Sequence, residues 1–167
     1  METFSIGTAE ANEYINLIIA GFLATFVMTI LMYISGFISK KNMAVVHILG
    51  SMITFRTNSG GGVSNSFFSL FSGCILHFLV GIVYAFVYSW LWYQGIGIPD
   101  FINSIIFGAV TGLIATAGWK IFINIHPNPP HIPTKEYLVT IFLTHIIFAI
   151  ILFYVYLVLT RYPLPIS

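Results

Sequence analysis

Two histidines stand inside long apolar stretches of this chain, and their surroundings match. His77 is followed by Gly81 and then by Tyr88, eleven positions on (77 to 88). His145 is followed by Ala149 and then by Tyr156 at the same separations (145 to 149, 145 to 156). An imidazole in such a setting has three uses. It can donate one hydrogen bond to a neighbouring helix, the common task of a lone polar side chain between apolar helices. Two imidazoles at equal depth can supply both axial nitrogens of a b-type haem. With small residues beside them, they can also receive the polar end of a lipophile. Gly73, His77, Gly81 and Tyr88 fall near one helical face, and Ile141, His145, Ala149 and Tyr156 near another. Small residues on such a face let a second backbone or a flat ligand approach closely. The candidate cofactor-binding set is therefore His77, His145, Gly73, Gly81 and Ala149.

Other chemistry finds less support. No aspartate or glutamate lies in the core of any apolar stretch; Asp100 and Glu136 sit at their ends. A Ser-His-acid triad needs an acid at that depth, and a buried proton relay would have to run on histidine alone. No catalytic residues are assigned, and the expectation is a protein that is not an enzyme. Cys74 is the single cysteine, so there is neither an internal disulfide nor a Cys-x-x-Cys pair. Met28, Met32, Met43 and Met52 form no tight pattern and read as packing residues. In His126-Pro127-Asn128-Pro129-Pro130-His131 the prolines stiffen the backbone and stop the preceding helix. That segment reads first as a connector and second as an interaction loop for a partner. Its two histidines lack nearby cysteine or a carboxylate pair, so no metal site is assigned. Asn58-Ser-Gly-Gly-Gly62 reads as a flexible turn and lacks the ending of a phosphate-binding loop.

The elements that must position these residues are set by composition. The chain has 167 residues, 58% hydrophobic and only 7% charged, against about a quarter charged in soluble domains. Four stretches, approximately 15–38, 67–92, 102–125 and 137–160, each exceed the roughly 20 apolar residues that cross a bilayer as a helix. The expected fold is all-α: one membrane domain over 1–167, a polytopic four-helix bundle. Residues 42–56 read as a short interfacial helix after the first span, with Val45, Val46, Leu49, Met52 and Ile53 on its apolar face and His47, Ser51 and Thr54 on another, or else as an ordered loop segment. His77 and His145 each lie about 12–15 Å into their helices at about 1.5 Å per residue.

Landmarks recur between the halves. Gly21-x-x-Ala24-Thr25 precedes Ile30 as Gly112-x-x-Ala115-Thr116 precedes Ile121, and the two His-to-Tyr spacings follow in the same order. Two helical hairpins of the same orientation would form a parallel repeat. Lys40, Lys41, Arg56, Lys120 and Lys135 fall on one side and Arg161 on the other. That asymmetry places the two basic connectors in the cytoplasm and both termini outside it. The acidic leading flank, Glu2, Glu10 and Glu13, argues for a retained first helix rather than a cleaved signal. A net charge of +1 offers no broad basic surface for nucleic acid.

Gly21-x-x-Ala24-Thr25-x-x-Met28, His77-x-x-x-Gly81, Trp119-Lys120, His126-Pro-Asn-Pro-Pro130, Lys135-Glu-Tyr137 and Thr144-His145 together resemble an uncharacterised family of small four-span integral membrane proteins from Bacteroidetes-type bacteria. The resemblance covers Gly21 to about Ala149, with the His-Pro-Asn-Pro-Pro element its most specific part. It implies a bacterial inner-membrane location and a four-span fold, and no activity. The expectation is thus a non-catalytic accessory or structural subunit. Its partners would be the lipid bilayer and other membrane subunits or further copies of itself, and it would hold no cofactor. The alternatives are a haem b electron carrier through His77 and His145, and a small lipophile-binding or transport protein.

Overall fold

A computed structural model describes residues 2–162, with side chains from Asn12 onward, so the flanking Glu2 and Glu10 side chains lie outside the described residues. Five helices follow in order: α1 (Glu2–Ser39), α2 (Val45–Thr54), α3 (Phe67–Tyr93), α4 (Phe101–Ile125) and α5 (Thr134–Arg161). Four of them, over Asn12–Ser39, Phe67–Tyr93, Phe101–Ile125 and Thr134–Arg161, are long and apolar enough to cross a membrane. Their bounds fall close to the sequence expectation, and the short helix after the first span is present. This is the architecture of a multi-pass membrane protein.

Local chemistry sets the helix ends. The Ser66 hydroxyl accepts from the Ser69 amide at 3.2 Å to begin α3. The Asp100 carboxylate accepts from the Asn103 amide at 2.7 Å to begin α4, and that backbone bond, before its other contacts, holds its carboxyl below the usual aspartate range. At the far end of α4, Pro127 disfavours helical geometry in the residue before it, and His126 turns out extended (φ −71°, ψ 130°). Polar side chains inside the long helices bond to carbonyls of their own helix, which is how such groups are satisfied where water is absent. Thr25 donates to Gly21 O at 2.7 Å and Thr29 to Thr25 O at 2.7 Å. Thr111 donates to Phe107 O at 2.7 Å and Thr144 to Thr140 O at 2.8 Å.

The helices form two hairpins, α1 with α3 and α4 with α5, joined through α1 and α5. A two-fold repeat would equate α1 with α4 and α3 with α5, and would therefore make the α3–α4 seam as tight as the α1–α5 seam. It does not: α3 and α4 scarcely approach each other. They come together through side chains at one end, where the Tyr88 hydroxyl lies 2.8 Å from Thr111 Oγ1 and Phe107 packs on Tyr88 and Trp92. The Thr111 proton is committed to Phe107 O, so Tyr88 is the donor.

Helix α2 is where the halves differ most. It is tucked against α3 and does not simply lie along the interface with its apolar face in lipid. Val45, Val46, Ile48, Gly50, Ser51 and Met52 are all buried. Ser51 was expected on a different face from the valines; its hydroxyl donates to His47 O at 2.7 Å and accepts from the Ser64 amide at 2.8 Å, which satisfies it in the interior. Two glycines permit the close approach. A Cβ on Gly50 would stand 2.0 Å from Ser69 O, and one on Gly73 would stand 2.2 Å from Val46 O.

Candidate functional site

The open α3–α4 seam is a cleft of about 360 Å³. Its walls are Leu76, His77, Val80, Gly81 and Tyr84 of α3, and Ile114, Ala115, Gly118, Trp119 and Phe122 of α4. Thr25 and Met28 of α1 form its floor with Ile141, His145 and Phe148 of α5, and Val45 and Leu49 of α2 close the basic end. Val80 and Ile114 are exposed at the rim, and a Cβ added at Gly118 would meet nothing within 4 Å. The mouth therefore faces sideways, toward the space that acyl chains fill around a spanning helix. The volume lies near the lower end of the roughly 300–1,000 Å³ typical of small-molecule sites.

The two histidines meet in this cleft. His145 is buried at 7% exposure, and its Nδ1 lies 2.8 Å from Ile141 O in its own helix. A carbonyl can only accept, so Nδ1 carries the proton. His77 Nε2 lies 3.1 Å from Thr29 Oγ1 across on α1. The single Thr29 proton is taken by the shorter bond to Thr25 O, so here Nε2–H is the donor. Each uncharged imidazole thus spends its proton on the protein and keeps a bare nitrogen, Nδ1 of His77 and Nε2 of His145. Among the described residues the sealed, unpartnered side-chain polar atoms are His47 Nδ1, Trp92 Nε1 and the Tyr137 hydroxyl. The two bare histidine nitrogens are not sealed. They are unpartnered, and their residues line the cleft.

Aromatic rings frame them. The Tyr84 ring meets His145 edge-on at 6.1 Å and Phe148 at 6.3 Å. No lysine, arginine or carboxylate is among the lining residues. Lys41 forms an exposed ion pair with Glu136 outside the cleft.

The other sequence candidates separate. Gly81 lines the cleft and also lets α1 close on α3, since a Cβ there would collide with Thr25 Oγ1. Gly73 lies under α2, away from the histidines. Ala149 is fully buried, its Cβ 3.0 Å from where Gly108 would carry one, so it belongs to the α4–α5 contact. The segment His126–His131 folds back on its own chain. His126 Nε2 donates to Met52 O at 2.7 Å, its Nδ1 accepts from the Asn128 amide at 3.1 Å, and Phe55 stacks on its ring at 4.7 Å. The Asn128 side chain donates to Phe55 O and Thr57 Oγ1, each at 3.3 Å, and the His131 amide to Gly61 O at 2.8 Å. Pro127, Asn128 and His131 remain exposed on its outer side. The glycine-rich turn it grips is itself pinned, by Asn58 Oδ1 accepting from the amides of Gly60 at 3.0 Å and Gly62 at 2.7 Å.

Sequence reading missed Thr29, which fixes the His77 tautomer, and the α4 wall of Ala115, Gly118 and Trp119. The Thr25-x-x-x-Thr29 spacing marks a shared helix face, but nothing in it says which neighbouring helix that face meets. Comparison with protein-family models, with curated proteins and with solved structures finds no match.

Proposed function

We propose that this chain is a multi-pass membrane protein that takes a lipophilic molecule from the surrounding bilayer into the α3–α4 cleft. One observation carries the reading: of the two seams a paired-hairpin bundle should close, one is tight and the other stands open over two histidines. An unfilled apolar recess beside lipid is a place for an apolar guest, and a few convergent polar groups give it an orientation. A role as an accessory subunit rests on the apolar perimeter, which lipid alone would cover equally well. A haem between the histidines would require His77 to give up the Nε2–Thr29 bond or ligate through Nδ1, and its propionates would have to reach cations outside the lining.

The test fills the cleft without disturbing the fold. Gly118→Phe places a ring in the mouth where a Cβ meets no atom, and replacing a helical glycine gains about 0.5 kcal/mol of helix propensity. Organic extracts of the purified wild type, analysed by mass spectrometry, should contain a hydrophobic compound near one equivalent that is lost in Gly118→Phe, with no fall in thermal midpoint. Identical extracts from the two proteins would overturn the proposal. A Soret band in the wild type would replace it with the haem reading.

A further inference from the structure

At its two histidines the cleft offers its guest acceptors; the donors on its walls are the Tyr84 hydroxyl and the Trp119 indole N–H. His145 spends its proton on Ile141 O and His77 spends its own on Thr29 Oγ1. Thr25, the hydroxyl on the floor, spends its proton on Gly21 O. Three polar side chains from three helices have each turned a hydrogen inward to the protein, and two bare ring nitrogens stay reachable. A ligand carrying only carbonyl or ether oxygens would set lone pair against lone pair at both histidines. Burial of such a pair without a proton between them costs more than the bond is worth. A ligand that brings its own O–H completes the set.

The shape of the recess narrows the class further. Tyr84, Trp119, Phe122 and Phe148 give aromatic surface around the nitrogens, while Gly118 leaves flat ground on the α4 wall. The volume holds a ring and the start of a chain, and the open mouth lets a longer chain run out among lipids. From this geometry we infer that the cleft selects a hydroxyl-bearing aromatic head on an apolar tail, a phenol or hydroquinone, with a hydroxyl donating its one proton to the bare Nε2 of His145. The inference rests on the proposed uptake of a lipophile, and names its chemistry.

Two probes that differ by one proton test it. The compound 4-nonylphenol and its methyl ether, 4-nonylanisole, share ring and tail, and only the phenol can donate. Binding of each to the full-length protein in nanodiscs is measured by equilibrium competition against tritiated 4-nonylphenol, with empty nanodiscs subtracted for partition into lipid. The wild type should prefer the phenol by about tenfold, the reach of one hydrogen bond in an apolar site. The preference should shrink to about twofold or less in His145→Leu, with anisole binding kept. If His145→Leu does not fold, the wild-type ratio carries the test. Equal binding of both probes by the wild type would overturn the donor inference and leave the cleft reading standing. Preference for the anisole would overturn it too, because the histidines would then be donating. No saturable binding of either probe would overturn the cleft reading itself.

Discussion

His126 ties together segments far apart in the chain. A single uncharged tautomer serves both of its partners, donating to Met52 O at the end of α2 and accepting from the Asn128 amide in its own loop. Phe55, stacked on the same ring, holds a left-handed backbone (φ 57°), a conformation that ordinarily favours glycine. Replacing His126 with alanine removes both bonds and the stack. The expected loss is about 1–3 kcal/mol, read as a lower thermal midpoint in mild detergent and faster proteolysis at residues 57–63. Equal midpoints and equal cleavage would show that the loop is held by other means. The proline spacing in the sequence marked this loop as stiff and structural. It could not show the target of the histidine, because a backbone carbonyl carries no sequence signature and Met52 O is within reach only where α2 stops.

At the scale of elements, α2 shows where pattern reading succeeds and where it stops. The apolar spacing revealed a helix and, in Val45, Val46 and Met52, half of its six buried residues; Leu49 and Ile53, read on the same face, are only half-buried. Ser51, read on a different face from the valines, also lies inside, because backbone partners from His47 and Ser64 compensate its burial. Gly50 gave no signal at all, since the need for a missing side chain is visible only when Ser69 O stands against it. Gly50→Ala should therefore cost about 1–3 kcal/mol as overpacking, despite a gain of about 1 kcal/mol in helix propensity. Gly118→Ala, with open space at the same atom, should show only the gain. Thermal midpoints of the two variants, side by side, decide it; alanine tolerated equally at both would mean that α2 is not seated on α3 as described. The four long helices were legible throughout, because twenty apolar residues in a row leave few alternatives. Their neighbour relations were not, because the apolar surface of a spanning helix carries little information about which face meets lipid.

Across the whole molecule, the repeat suggested by the two histidine stretches is half expressed. Gly21 seats α1 on Gly81 and Ala85 of α3, and Gly112 seats α4 on Phe142 and His145 of α5, so each half builds its own hairpin on a glycine. The departure from symmetry lies in the α3–α4 seam, pinned at one end by Tyr88 and Thr111 and propped at the other by α2. Tyr88→Phe takes away the pin while keeping the ring. It should lower the midpoint by the equivalent of about 0.5–1.5 kcal/mol and shorten the residence time of bound 4-nonylphenol. An unaltered dissociation rate would mean that the pinned end is not on the route of exit.

Cys74, the chain's only cysteine, lies exposed on α3 close to His77 in sequence and outside the cleft lining. The unmodified protein is therefore already a single-site labelling reagent. A bromobimane or nitroxide attached to that thiol would ride on the helix that forms one wall, report whether it shifts when a guest enters, and require no engineered substitution to do so.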